Sequence, residues 1–219
     1  MSTLLLRFAA PLQAWGTESK YDIRKTDREP SKSGIVGFLA AALGRKRDES
    51  VEDLNALRVG VRADQEGEII QDFHMVHKDE KTSYLTRRYY LSDAVFVVGV
   101  ESEDDAVLQK LVDAVKNPVF PLFLGRCSCP PCGPIVLGIR EFDLETALDK
   151  EPWQIPEWRR KRETSVPCLR KVIESDSGGV VRKDRSFSPY HREYGYRGVK
   201  ESLCCPQLTE TTHDPMAEL

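Results

Sequence analysis

The residues of this sequence best equipped for chemistry are those that bind phosphate or stack on nucleic-acid bases. The first group lies in the segment LQAWG at residues 12–16, directly after an apolar run. Trp15 offers a flat ring on which a base can stack, Gln13 can read a base edge, and Gly16 lets backbone approach a phosphate closely. Together with Ala14 they form a candidate RNA-binding loop. The alternative is that Trp15 anchors the core and Gly16 only makes a turn, since large aromatic side chains are usually buried.

A second group lies in the segment REPSKSG at residues 28–34, before an apolar, alanine-rich stretch that predicts a helix. It places the hydroxyls of Ser31 and Ser33, the amine of Lys32 and the small Gly34 at the helix N-terminus. Free N–H groups and the helix dipole make such a terminus an anion site. Ordinary capping by one of the two serines is the alternative, and a cap and a phosphate site share one geometry.

Basic and aromatic side chains alternate between residues 73 and 90. They are His74, His77, Lys78, Lys81, Tyr84, Arg87, Arg88, Tyr89 and Tyr90. On a projecting hairpin this pattern suits single-stranded RNA, because the charges follow the backbone and the rings stack on bases. An exposed hairpin with a solvated tip would explain the same pattern.

A cysteine-rich segment, FLGRCSCPPC at residues 123–132, contains a further candidate phosphate site. Arg126 supplies a forked guanidinium and Ser128 a hydroxyl beside a glycine. Cys129 and Cys132 have C-x-x-C spacing, but zinc would need a distant fourth ligand and the chain has no second C-x-x-C. A dithiol redox site is disfavoured too, because the two prolines between the cysteines indicate a loop. We therefore predict no metal ligand and no cofactor.

Composition and charge place limits on the class of protein. The chain has 219 residues, of which 40% are hydrophobic and 31% charged, as expected for a globular protein with a core. The net charge of −3 hides segregation: residues 20–47, which include the candidate Arg24, hold eight Lys/Arg against three Asp/Glu, and residues 157–200 hold twelve against six. A phosphate backbone responds to such local basic surface. We expect no membrane span, no signal peptide, and reduced thiols in a cytoplasm.

The elements that must position these residues follow from apolar periodicity. Predicted strands cover residues 3–8, 58–63, 68–75, 94–100 and 135–139, and the main predicted helices cover 35–43 and 103–116. The order strand, helix, strand, strand, helix, strand, with an excursion after the third strand, predicts an α+β protein with a ferredoxin-like (RRM/RAMP-type) βαββαβ core. We expect residues 58–75 to form a hairpin, and the helices to cover one face of the sheet and leave the other open for RNA.

Four motifs in this order resemble the CasD (Cas-five) family of type I-E CRISPR subunits. They are APLQAWG at 10–16, SKSGIVGFLAAALG at 31–44, YLSDAVF at 90–96 and LGRCSCP at 124–130. The resemblance covers residues 3–140. It implies a domain over residues 1–145 with a thumb hairpin at about 73–90, followed by a small β-containing C-terminal extension, residues 146–219, packed on it.

The resemblance also implies a function. Family members are built into the Cascade surveillance complex, hold the 5′ handle of the mature CRISPR RNA (crRNA) and cap that end of the backbone filament. The implied handle-gripping residues here are 13–16, 31–34 and the Arg126 loop. The implied partners are crRNA, the backbone filament subunit and the large subunit, with target DNA contacted indirectly and no membrane.

Two other classes of function compete with this reading. A related type I-C subunit cleaves precursor RNA, which would require a base such as His74 or His77 and a charge stabiliser such as Lys78 or Lys81. Neighbouring strand residues face opposite sides, however, and we see no convergent His-Lys-Tyr set, so we predict no catalytic residue. The third reading is a zinc-stabilised interaction module built on Cys127 and the C-x-x-C pair.

Overall fold

The protein mixes strands and helices along its length, as its α+β pattern predicts. The structure is a computed structural model and describes residues 1–16, 22–77, 83–162, 167–175, 178–188 and 193–206. Its strands are β1 (Ser2–Ala9), β2 (Leu12–Gln13), β3 (Ile23–Arg24), β4 (Arg58–Gln65), β5 (Glu68–His77), β6 (Ser83–Ser92), β7 (Val95–Ser102), β8 (Val136–Arg140), β9 (Leu169–Glu174), β10 (Val180–Ser188) and β11 (Glu193–Cys204). Its helices are α1 (Lys32–Ala42), α2 (Glu52–Ala56), α3 (Asp105–Lys116), α4 (Leu144–Lys150) and α5 (Glu157–Arg160). None of these helices is long and apolar enough to cross a bilayer.

A seven-stranded sheet organises the molecule, in the order β10-β11-β9-β4-β7-β1-β8. Within it, β1 and β7 form an antiparallel pair, in register from Ser2 opposite Ser102 to Ala9 opposite Val95. The flanking strands β4 and β8 also run antiparallel to their neighbours. The strands predicted at 3–8, 58–63, 94–100 and 135–139 are therefore confirmed as elements of one sheet.

Helices α1 and α3 pack on one face of this sheet. Alternate residues of β1, namely Leu4, Leu6 and Phe8, are buried there with the apolar sides of both helices. Four buried residues of α3, Leu108, Leu111, Val112 and Val115, lie three or four positions apart, so they form one stripe. The helix begins after its cap, Asp104, whose carboxylate accepts a hydrogen bond from Ala106 N at 2.8 Å.

The opposite face of the sheet is not open, so this expectation is wrong. Helix α4 covers it, and Leu144 and Leu148 pack against Leu5 and Val97. A Cβ at Gly99 would lie 2.5 Å from Leu144 Cδ1, so a larger residue there would have to displace the Leu144 side chain. Strands β1 and β7 carry consecutive apolar residues, Leu4–Leu6 and Val95–Val98, because both faces are buried, whereas a half-exposed sheet would show alternation.

The hairpin that leaves the main sheet is formed by β5 and β6, not by the two strands predicted at 58–75. β4 pairs with β7 and β9, whereas β5 pairs with β6 over its whole length, from Glu68 opposite Ser92 to His77 opposite Ser83. The predicted hairpin at 58–75 is therefore wrong. At Gly67, with φ at 72°, the chain turns out of the main sheet into a smaller one, in which β2 and β3 also pair with β6.

The C-terminal strands continue the main sheet across the predicted boundary at residues 145 and 146. β9 pairs with β4, β11 with β9, and β10 with β11. Buried Arg62 connects the two sides of this boundary. It donates to both carboxylate oxygens of Asp64 at 2.6 and 2.8 Å, and across the boundary to the carbonyl of Glu151 at 2.7 Å. Trp153 also donates to the carbonyl of Asp64, at 2.9 Å.

Candidate nucleic-acid interface

A cleft with a volume of about 690 Å³ runs along α1. Residues 14–16 line one part of it, Ser31, Ser33 and Gly34 another, and Phe123, Gly125 and Cys127 a third. These are the three segments implied to grip RNA, and they come together here although they are far apart in the sequence. A volume of this size is typical of sites that enclose a nucleotide-sized ligand.

The loop at 12–16 supports the cleft through buried side chains. Trp15 is 1% exposed, and its ring stacks on that of Phe8 with centroids 5.8 Å apart. Its Nε1 donates to Gln13 Oε1 at 3.2 Å, and Gln13 Nε2 donates to the carbonyl of Ala94 at 2.7 Å. The predictions that Trp15 stacks on a base and Gln13 reads a base edge are therefore wrong for these side chains, because both are enclosed and hydrogen-bonded within the protein. Gly16 is exposed.

The cysteine-rich loop is joined directly to this segment. Ala14 N donates to the carbonyl of Leu124 at 3.2 Å. A Cβ at Gly125 would lie 1.7 Å from Ala14 O, and Gly125 has φ at 85°. Only glycine fits such a position, so this loop and the Trp15 loop are held against each other at one end of the cleft.

The N-terminus of α1 already holds an anion from the protein itself. Asp184 Oδ2 accepts from Lys32 N at 2.8 Å, and Arg197 donates to both oxygens of the same carboxylate at 2.6 and 2.8 Å. Lys32 is 2% exposed, and its Nζ donates to both oxygens of Glu174 at 2.7 Å. The prediction that Lys32 and the helix N-terminus hold a phosphate is therefore wrong, because carboxylates of β9 and β10 take both positions.

Burial and charge shift the titration of these groups. Burial lowers the pKa of Lys32, which the hydrogen bond to Glu174 only partly offsets. Burial alone would raise the pKa of Asp184, but the hydrogen bonds and charge of Arg197, with the Lys32 N–H, bring it below its ordinary value. Ser31 remains the helix cap, with its Oγ accepting from Gly34 N at 3.2 Å, and Ser33 Oγ lies 3.3 Å from it.

Arg126 holds protein segments together in the structure. It donates to the carbonyl of Tyr89 at 3.1 Å and to that of Arg24 at 2.8 Å, and its guanidinium lies 4.7 Å from the centre of the Tyr90 ring. The fork predicted for a phosphate thus ties the cysteine-rich loop to the smaller sheet. The neighbouring Ser128 is exposed.

A basic rim that the sequence reasoning missed lies directly after α1. Gly44, with φ at 77°, ends the helix, and Arg45, Lys46 and Arg47 then line the cleft. Arg45 pairs with Asp53, whereas the side chains of Lys46 and Arg47 are exposed. The run RKR after a helix-ending glycine was the available signal.

The hairpin candidates lie outside the cleft. Tyr84 is 50% exposed, and Arg87 is exposed on the face it shares with Phe73, which lies opposite it. Arg88 is half-buried, with no partner for its Nε among the described residues, and faces the exposed Arg24 across β3 and β6. Tyr89 is half-buried.

The histidines and lysines of the hairpin are the candidate catalytic residues of the alternative function, RNA cleavage. His74 Nε2 lies 2.6 Å from Asp72 Oδ2, and His77 is paired with Ser83 on the neighbouring strand. Lys78 and Lys81 lie outside the described residues.

The cysteines of residues 127–132 differ in environment. Cys129 is buried, and burial raises the pKa of its thiol, whereas Cys127 and Cys132 are exposed. Within the part of the chain that the structure describes, no three His, Cys, Asp or Glu side chains are grouped so that they could hold a metal ion.

Comparisons with known proteins find similarity to CRISPR-associated proteins. The family model Cas_Cas5d, described as CRISPR-associated protein (Cas_Cas5), matches residues 3–200. The "CRISPR system Cascade subunit CasD" of Escherichia coli (strain K12) is 35% identical over an alignment of 161 residues that covers 63% of this chain and 70% of that protein. A solved "Crystal structure of Cas protein" is 41% identical with a TM-score of 0.75, covering 93% of this chain and 95% of its own. A chain of a "CRISPR RNA-guided surveillance complex" is 27% identical with a TM-score of 0.79, covering 99% and 97%.

Proposed function

The chain belongs to the Cas_Cas5d family of CRISPR-associated proteins, and from this premise we propose that it is a non-catalytic RNA-binding subunit of a type I-E Cascade complex. In this role it binds and caps the 5′ handle of mature crRNA in the cytoplasm, beside the backbone filament subunit and the large subunit. Target DNA is contacted only through the complex. The similarity to a Cascade subunit and to a chain of an RNA-guided surveillance complex supports this role.

The observation that carries the proposal is the meeting of three segments at one cleft. Each segment contributes three residues to a single concave surface along α1: Ala14, Trp15 and Gly16; Ser31, Ser33 and Gly34; and Phe123, Gly125 and Cys127. Gly37 is exposed on this helix, and a Cβ built there would meet nothing within 4 Å. A nucleic-acid backbone can therefore approach the helix surface closely.

The charges around the cleft favour a phosphate backbone. Lys32 and Arg197, which are not among the residues lining the cleft, are paired with carboxylates, so they contribute little to the attraction of phosphates. Lys46 and Arg47 at the rim are exposed and available to phosphates. We propose that these two side chains, with the exposed backbone of Gly16 and the hydroxyl of Ser33, hold the RNA end.

The finer description of the fold belongs to the same proposal. The order β4-β7-β1-β8, antiparallel throughout, supports a ferredoxin-like core. The long β5–β6 hairpin supports a thumb that extends beyond the predicted 73–90, with Tyr84 and Arg87 as its exposed RNA contacts. The division into residues 1–145 and an extension, 146–219, remains part of this proposal.

A binding role fits the hairpin better than RNA cleavage does. Cleavage without a metal needs a base, an acid and a charge stabiliser around one 2′-hydroxyl. Among the described residues, the partner recorded for the His74 imidazole is the carboxylate of Asp72, and the residue opposite His77 is Ser83. These neighbours supply no cation to stabilise the developing charge.

The test is a double substitution at the rim, Lys46→Ala with Arg47→Ala. Each lost phosphate contact lowers the slope of log K against log salt by about 0.7 for single strands, so we expect a change of about 1.4 and weaker binding of handle RNA. The matched control is Lys110→Ala with Lys116→Ala, which removes two exposed cations of α3 outside the cleft lining. Equal slopes for both variants and the unchanged protein would contradict the proposed site.

A further inference from the structure

Two exposed cysteines lie opposite each other at one end of the main sheet. Cys168 directly precedes β9, and Cys205 directly follows β11. The antiparallel register that places Cys204 opposite Leu169 brings these two residues opposite each other at the next position. Their Sγ atoms are 2.8 Å apart. Because both side chains are exposed, a small reagent can reach them from solvent.

We propose that Cys168 and Cys205 form a reversible disulfide with small disulfide oxidants such as oxidised glutathione, and that this bond closes the end of the β9–β11 pair. Directly opposite residues of antiparallel strands have Cα atoms about 4.5–5.5 Å apart. A disulfide spans Cα separations of about 4.4–6.8 Å. The bond therefore needs the two sulfur atoms to move together and leaves the strands in place.

The reaction is two successive thiol–disulfide exchanges. One cysteine thiolate attacks a sulfur of oxidised glutathione, forms a mixed disulfide and releases one glutathione thiolate. The second cysteine thiolate attacks the protein sulfur of that mixed disulfide, forms the Cys168–Cys205 bond and releases the second glutathione. The two protein thiols lose two electrons and two protons, and oxidised glutathione gains them and becomes two reduced molecules.

The neighbouring cysteine shows why this pair is selective. Cys204 points to the other side of β11 and is buried with Trp153, Ile155 and Leu169. Burial raises the pKa of its thiol to about 11, so it is shielded from solvent and is not a thiolate near neutral pH. At Cys205, the hydrogen bond to Cys168 raises the pKa of the thiol, so oxidation should become faster as pH rises.

The bond would stiffen strands that support the cleft. It would link positions 37 residues apart and enclose the whole of β9, β10 and β11. Glu174 of β9 and Asp184 of β10 hold the first residue of α1, Lys32, at the edge of the cleft. Closing a loop of this length in the unfolded chain should raise the Tm of the oxidised protein by about 8–15 °C. In a reducing compartment such a bond would respond to redox conditions, since permanent disulfides are rare there.

The test places the full-length chain in glutathione buffers of increasing oxidised fraction, alkylates the remaining thiols and maps the peptides. We expect a linked pair of peptides containing Cys168 and Cys205, with alkylation of both falling to about a tenth or less while Cys132 stays alkylated. Cys132→Ser, which removes another exposed thiol, is the matched control and should behave as the unchanged chain. Cys168→Ser should give a glutathione adduct on Cys205, with no internal link and no gain in Tm.

Two results would overturn the proposal. One is a chain that accumulates glutathione adducts on Cys168 and Cys205 without an internal link. The other is an internal link with equal Tm values for the oxidised and reduced proteins. That result would show that the bond does not stabilise the strands.

Discussion

Two regions contain the same kinds of residue but use them differently. One is the group of internally bonded side chains in the segments that meet at the cleft, which we call its floor: Gln13, Trp15, Lys32 and Arg126. The other is the β5–β6 hairpin. In the floor, aromatic and basic side chains are bonded to the protein itself, as the Lys32–Glu174 pair and the Trp15–Gln13 contact show. On the hairpin, Tyr84 and Arg87 face solvent. Residue type alone therefore does not identify an RNA contact, because burial and an internal partner decide whether a side chain is available.

The largest effect should come from breaking the floor with Trp15→Ala. Removing a buried aromatic side chain costs about 3–5 kcal/mol, so the free energy of unfolding, measured with denaturant, should fall by that amount. Trp158→Ala is the matched control, because Trp158 is 62% exposed and its loss should cost much less. Unchanged stability with lost RNA binding would instead mean that Trp15 contacts the RNA.

A smaller effect should appear at the carboxylate that occupies the N-terminus of α1. The pKa of Asp184 lies below its ordinary value of 3.8 in the folded protein, so its stabilising contribution is complete above that pH and is lost as pH falls through the lower folded-state pKa. Asp184→Asn should cost about 1–3 kcal/mol at neutral pH through weakened charged hydrogen bonds.

The measurement for Asp184 is the difference in unfolding free energy between the unchanged chain and Asp184→Asn from pH 7 to pH 2. The difference should be constant at neutral pH and shrink in acid. A difference independent of pH would contradict the assigned role of this carboxylate.

The smallest effect on stability should come from the hairpin with Arg87→Ala. Because Arg87 is exposed, unfolding should change by less than about 0.5 kcal/mol, while the salt slope of RNA binding should fall by about 0.7. Arg88→Ala is the comparison variant. Because Arg88 is half-buried, its loss should also lower the stability of the hairpin. An unchanged salt slope for Arg87→Ala would contradict a phosphate contact by this residue of the hairpin.

Local patterns in the sequence predict most of the fold, because continuous apolar runs and a 3.6-residue period mark β1, β7 and α3. The covering of the second sheet face by α4 was missed, although the unbroken apolar runs of β1 and β7 indicate two buried faces. The wrong hairpin at 58–75 has a similar cause. Alternation identifies strands but not their partners, and Gly67 directs β5 away from β4.

The candidate site was predictable in position but not in detail. The three segments do meet, yet the partners of Lys32 lie 142 and 152 residues later, at Glu174 and Asp184. No local pattern reports such long-range pairing, so a buried lysine and a phosphate-binding lysine look alike in sequence. The rim residues Lys46 and Arg47 present the opposite problem. A basic run after a helix is typical of an ordinary solvated surface, although these two residues line the cleft.

The most direct test of the central claim is photocrosslinking inside an assembled Cascade complex that contains the full chain. A crRNA with photoreactive nucleotides in its 5′ handle would be irradiated, and the linked peptides identified. We expect links to the cleft, at residues 14–16, 33–47 and 123–127. Handle nucleotides that link only to other subunits, or to this chain only outside those residues, would contradict the proposed RNA-binding cleft.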